Sequence, residues 1–380
     1  MDKKKRARLL ALVKKGILAE CILVVIATAF FVNGKSGSES SRTNSNSVLT
    51  IENDYIKWVD FTVSYEALCN AYEWDVKTHG TEHEVGWVEL LAYTAARTGG
   101  TFDKNSLKTM EKAAKSLAEG EKTIEELTKD LKCYAYYKEA YDAAIGGLVG
   151  EYRTEVSQTG SMGTDVRDIN EYETVYGLKG YFPLARGFDY THYDDFGVSR
   201  SYGYKRQHLG HDMMGLVGTP IMAVESGVVE ALGWNQYGGW RIGIRSFDGK
   251  RYYYYAHLRQ NYPYAEGLEE GSIVTAGDVI GYMGHTGYST KENVNNIEVT
   301  HLHWGLQLIF DESQKEGNNE IWIDVYPLTR FLAKHTQAAV KVGDTREWVR
   351  TTRIVDPAVE EYEAQAPAET AKGIQWLFLP

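Results

Sequence analysis

Six of the ten histidines in this 380-residue chain fall between positions 208 and 303: His208, His211, His257, His285, His301 and His303. Their spacing has the logic of a metal site. In His208-Leu209-Gly210-His211-Asp212 an imidazole and a carboxylate stand four residues apart, and Gly210 permits a turn tight enough to bring both onto one centre. His301 and His303 are separated by one residue in an apolar stretch. On a strand, whose side chains alternate between faces, both point to the same side. Two imidazoles and one carboxylate around an open fourth position form the ligand set of a catalytic zinc, whose bound water has a pKa of about 7. An isolated HxxxD or HxH arises often by chance. Both together, with a third cluster at Tyr255-Ala256-His257-Leu258, do not. A two-histidine, one-carboxylate iron site shares these ligand types, but its usual close HxD or HxE pair is absent.

The elements that must position these residues read as β-structure. Thr219–Leu232 predicts two short strands around Gly227. Trp240–Phe247, the Asp248-Gly249 turn and Lys250–His257 predict a hairpin, with Asp-Gly supplying the positive φ of a tight primed turn. Val274–Met283 and His301–Phe310 add further strands, and with no helix between them the sheet is antiparallel. Upstream the pattern is helical. Val88, Leu91, Ala92 and Ala95 form one stripe ended by Gly99-Gly100; Leu107, Met110, Ala114 and Leu117 form another, ended by Gly120. Thr123 with Glu126 makes a capping box ahead of a third helix through Ile124, Leu127, Leu131 and Tyr134, closed by Gly146-Gly147.

Charge is placed unevenly. The net charge of −11 argues against a nucleic-acid partner, yet residues 1–20 hold seven basic side chains against Asp2 and Glu20. An apolar run, Ile17–Val32, follows this basic head. It fits a signal peptide cut after Ala27-Thr28-Ala29, and it fits a retained signal anchor because it continues past that site; we read it as an anchor. Either way the positive-inside rule sends the remainder out of the cytoplasm. Residues 34–50 are a Gly/Ser/Asn-rich linker. Cys69 and Cys133, beyond the head, either pair in an oxidising compartment or stay as isolated thiols. After about residue 336 the chain turns polar, and a partly ordered tail is expected.

From about 200 to 310 the chain resembles the lysostaphin-type zinc metallopeptidases, endopeptidases that cut peptide bridges and stems of peptidoglycan. The matching elements are His208-x-Gly210-x-Asp212, Gly218-Thr219-Pro220-Ile221 with Ala223, Gly227-Val228-Val229 and Tyr255-Ala256-His257-Leu258. They continue through Gly271-x-x-Val274-x-x-Gly277, Ile280-Gly281 and Gly284-x-Thr286-Gly287 to His301-Leu302-His303. The resemblance implies zinc bound by His208, Asp212 and His303, with His257 and His301 lining the site as catalytic histidines. Two departures stand out: His211 occupies a usually aliphatic position, and Lys291–Thr300 lengthens the loop before the HxH strand. Tyr237, Trp240, Tyr288 and Trp304 are candidate groove residues for an extended peptide. Trp87–Gly100 resembles a helix of bacterial lysozyme-like domains, with Arg97 where those carry the catalytic glutamate, so glycosidase chemistry is not expected.

The expected architecture is multidomain α + β. A basic stub and membrane helix (1–33) and the linker precede a helical bundle-like domain (51–155). A connecting segment (156–200) leads to an antiparallel β-sheet metallopeptidase domain (201–335) and a tail (336–380). The expected function is a membrane-anchored, extracytoplasmic zinc endopeptidase acting on peptidoglycan. A non-catalytic wall-binding or scaffold protein of the same fold is the alternative.

Overall fold

The computed structural model describes residues 55–155, 172–201, 205–315, 317 and 319–365. The apolar run Ile17–Val32 and the linker lie outside the described residues. Among the described residues no helix is long and apolar enough to cross a membrane.

Five helices come first: α1 (Tyr65–Thr78), α2 (Trp87–Thr98), α3 (Lys104–Ala118), α4 (Ile124–Thr128) and α5 (Tyr134–Ile145). Side chains cap their starts. Ser64 accepts from the amide of Ala67, and Asp103 accepts from those of Asn105 and Ser106. Thr123 and Glu126 form the expected reciprocal box, and Gly99 ends α2 at φ +64°. α2 is buried on nearly all sides, from Trp87 through Ala95, which makes it the central helix of the bundle. The single helix expected beyond Thr123 is instead two. The amide of Leu131 bonds to Thr128 O and that of Tyr134 to Leu131 O, so two tight turns break the run and re-aim α5. Tyr137, Ala140, Tyr141 and Ala144 thereby enter the core. Cys69, buried in α1, and Cys133, exposed before α5, are both free thiols.

The β-strands follow. They are β1 (Val149–Glu155), β2 (Tyr172–Leu178), β3 (Thr191–His192), β4 (Ser199–Ser201), β5 (Lys205–Gln207), β6 (His211–Met214), β7 (Pro220–Met222), β8 (Gly227–Asn235), β9 (Gly239–Ser246) and β10 (Arg251–Ala256). Then come β11 (Ile273–Val274), β12 (Val279–Tyr282), β13 (His301–Leu308) and β14 (Ile321–Ile323), a helix α6 (Tyr326–Leu332), β15 (Ala339–Lys341), β16 (Trp348–Arg350), β17 (Ile354–Val355) and a last helix α7 (Pro357–Gln365). The main sheet runs β11-β8-β9-β10-β13-β6-β3, with β14 also on β13, and every pairing is antiparallel as expected.

Three local expectations are corrected. The β9–β10 hairpin forms, but four residues separate its strands and, of Asp248 and Gly249, only Gly249 has positive φ, so the turn is not primed. Val274–Met283 is two strands in different sheets, divided at a turn in which Asp278 accepts from the amide of Thr275. Residues 339–365 are not a tail. β17 pairs with β1, Ile354 is buried, and buried Asp356 takes an ion pair from Lys179 at 2.9 Å. These strands of two or three residues are too short for alternation to register in a sequence. Nor do the helices form a core of their own: residues of α2, β13 and α6 belong to one continuous cluster, with Tyr72 and Trp87 packed on Phe331.

Candidate metal centre

The register of two strands builds the site. On β6 and β13, Asp212 lies directly opposite His303, while His301 lies opposite Met214. His208, just ahead of β6, reaches the same point. Its Nε2 is 3.0 Å from Asp212 Oδ1 and 3.0 Å from His303 Nδ1, and the third edge, His303 Nδ1 to Asp212 Oδ1, is 2.8 Å. His301 stands further out, its Nε2 3.7 Å from Asp212 Oδ1 and its Nδ1 on Val299 O at 2.7 Å. The two histidines of the HxH strand are therefore inequivalent, which alternation alone does not reveal.

Gly210 serves a different purpose from the one its turn suggested. Its φ is not in the left-handed region; instead, a Cβ there would sit 2.5 Å from the His303 ring. A side chain would push the imidazole out of the cluster. Asp195 supports the opposite edge. Its carboxylate lies 3.2 Å from His208 Nδ1, and its backbone carbonyl 3.3 Å from the same atom. Because a carbonyl only accepts, Nδ1 carries the proton and Nε2 presents its lone pair to the cluster. Arg200 contacts the outer oxygen of Asp212 at 3.2 Å and pairs with Asp195.

Electrostatics follow from burial and these contacts. Burial opposes ionisation of Asp212, but its close contacts with the His208 and His303 rings hold its carboxyl far below the usual carboxylate range. Burial also disfavours a charged His208, yet Asp212 pushes its pKa up overall. Burial drives His303 down, and His257 further, with His301 and His303 adding to the shift of His257. A cation shared among them reconciles three electron-pair donors that converge on one point. Two imidazole nitrogens and a carboxylate oxygen suit a divalent ion such as zinc, so the residues present fit that metal.

His257 flanks the triangle. It is held at φ +63° by backbone bonds to Gly238 and Gly284, and its Nδ1 donates to Thr286 O at 3.0 Å. Such a conformation in a non-glycine residue is costly and persists where its surroundings over-determine it. Its ring centre is 4.7 Å from that of His301 and 5.8 Å from that of His303.

A cleft opens over the cluster. Of the four groove candidates, Tyr237 and Tyr288 line it and Trp240 and Trp304 do not. Trp304 follows His303 on β13 and so faces the other way, fully buried. Trp240 packs against Trp234 and Tyr264 and donates to Asn293. His211 likewise points away from the cluster, with its Nε2 2.9 Å from His192 Nδ1, and burial pushes its pKa down to about 3. Sequence reasoning missed Arg200, Arg206, Tyr254 and Glu298 on the cleft wall. Tyr254 was within reach, since it shares a face of β10 with Ala256, the partner of His303. The arginines carried no periodic signal.

Residues 206–317 match peptidase family M23. This segment is an M23 peptidase domain. The chain is 38% identical over 174 residues to an L-Ala–D-Glu endopeptidase of Bacillus subtilis (strain 168), covering 44% of this chain and 50% of that protein. It is 37% identical over 128 residues to lysostaphin of Staphylococcus simulans, covering 33% of this chain and 21% of that one. It is 31% identical over 144 residues to the glycyl-glycine endopeptidase ALE-1 of Staphylococcus capitis, covering 38% and 33%. The chain thus spans about half the length of the first relative and less of the others. The M23 segment begins at β5 and ends before β14, so it holds the whole metal cluster, whereas Asp195 and Arg200 lie outside it.

Proposed function

We propose that this protein is a zinc metalloendopeptidase that hydrolyses peptide bonds in peptidoglycan cross-links or stems. His208, Asp212 and His303 would hold the metal, and His257 and His301 would handle protons. The observation that carries the proposal is the triangle of donor atoms with edges of 2.8–3.0 Å at the floor of a cleft. Bound there, zinc would supply Lewis acidity to polarise the scissile carbonyl and acidify a water. The protein's own groups are prepared around it. Asp195 fixes the tautomer of His208, and Arg200 orients the carboxylate of Asp212. With Nδ1–H committed to Thr286 O, His257 offers the lone pair of Nε2, and burial keeps the ring neutral and able to take a proton. His301, with Nδ1 on Val299 O, offers Nε2 in the same way.

The B. subtilis relative is named for an L-Ala–D-Glu bond and the S. capitis relative for a glycyl-glycine bond, so both bond types fall within the proposal. It also includes action outside the cytoplasm on an N-terminal anchor, supported by the basic residues 3–15 ahead of the apolar run Ile17–Val32. Metal analysis of purified protein should find stoichiometric zinc, and purified cell wall should release new amino groups. His208→Ala and Asp212→Ala should lose on the order of a thousandfold in turnover, the equivalent of several kcal/mol of metal-centred stabilisation. Both should retain the wild-type circular dichroism. Wall digestion at the wild-type rate by both variants would leave the non-catalytic wall-binding reading in its place.

A further inference from the structure

The cleft wall carries two arginines, of which, among the described residues, Arg200 alone is paired with carboxylates. Arg200 is paired with both Asp195 and Asp212. Arg206 lines the same cleft, but among the described residues no carboxylate lies within ion-pair distance of it. Glu298 is also on the wall. The contacts of Arg206 are instead with an aromatic ring: its guanidinium lies 5.1 Å from the centre of Tyr288, and one Nη donates to the Tyr288 hydroxyl. Its Nε–H is buried without a hydrogen-bond partner among the described residues.

Tyr288 is a rigid brace. It sits at φ +47°, its carbonyl accepts from Asn296 Nδ2 at 2.7 Å, and its ring centre is 6.0 Å from that of His257. The guanidinium is therefore held one aromatic ring away from a proposed proton-handling histidine. An incompletely satisfied, partly buried cation is costly to maintain, and the planar fork of an arginine matches a carboxylate.

We infer that Arg206, braced by Tyr288, is a carboxylate subsite, through which the cleft selects peptides bearing an acidic residue beside the scissile bond over uncharged glycine chains. The inference rests on the hydrolase reading only in calling that peptide a substrate. Binding alone tests the subsite. The probes are L-Ala-γ-D-Glu-L-Lys and its α-amidated counterpart, which differ by a single carboxylate, measured calorimetrically on the full chain loaded with zinc. Wild type should bind the acid about ten- to a hundredfold more tightly, as a charge-assisted hydrogen bond implies, and lose this preference at high salt. In Arg206→Gln the ratio should fall to about one. Should that variant bind neither peptide, Arg206→Lys decides: a ratio below wild type supports the subsite, and an unchanged ratio overturns it. A wild-type ratio near one, or full preference retained in Arg206→Gln, also overturns it. Cleavage of the same peptides, read separately, tests the hydrolase reading, so preference in binding without cleavage would sink that reading and leave the subsite standing.

Discussion

Two polar clusters in this molecule hold their charges on opposite terms. At the junction of helices and sheet, Arg251 is 2% exposed and every one of its five N–H groups is used. Glu225 takes two, Asp248 one, and the carbonyls of Asp142 and Ala143 at the end of α5 the other two. Tyr253 donates to Glu225 as well. Gly147 leaves the room, since a Cβ there would meet Glu225 Oε1 at 2.0 Å. That cluster is closed: donors match acceptors and nothing further fits. At the metal centre His208, Asp212 and His303 turn electron pairs on one another, and the mismatch calls for a cation from outside. A complete set of partners marks a structural cluster, and a deliberate shortage marks a functional one.

The largest effect should come from breaking the closed cluster. Arg251→Met leaves Glu225 buried without its partner and should cost about 3–5 kcal/mol in urea unfolding, as for other broken buried pairs. The added stability conferred by zinc should be unchanged in that variant. An equal loss of zinc response would mean that the two clusters are energetically one. Next in size, Gly210→Ala should displace the His303 ring and weaken zinc binding by about 10- to 100-fold, the range seen when a ligand's support is disturbed. Competition against a chelator measures this; unaltered affinity would show that the ring has room to move.

The smallest effect concerns a half-buried histidine outside both clusters. His335 donates from Nδ1 to Gly180 O and stacks on Tyr181, and burial holds its pKa below the ordinary 6.5. The unfolded chain therefore binds this proton more readily than the fold does. The contribution is fully present above pH 6.5 and is lost as pH falls through the lower folded-state value. His335→Asn should flatten the stability slope below pH 6.5 by less than about 1.4 kcal/mol per pH unit. Identical slopes for the two proteins would show that His335 titrates alike folded and unfolded.

Much of this was legible in sequence because the signals were local. The capping box at Thr123 with Glu126, the stop at Gly99 and the long strands β8, β9, β10 and β13 follow from short-range chemistry. Alternation also predicts that Trp304, beside His303, turns into the core, and its candidacy for the groove neglected that rule. Strands as short as β15, β16 and β17 give too few residues for any period. The break after α4 depends on where α5 must point to bury Tyr141.

By itself the sequence determined the donor types and their order along the chain. An imidazole, a glycine and a carboxylate in one stretch, followed far downstream by an HxH strand, limit the chemistry to that of a borderline-soft divalent ion. Spacing treats the two histidines of the HxH strand alike, and only the tertiary structure shows why His303 joins the cluster, through the register of β13 against β6. Only it, too, separated a neutralised Arg200 from an unmatched Arg206, since charge pairing is a matter of distance in space.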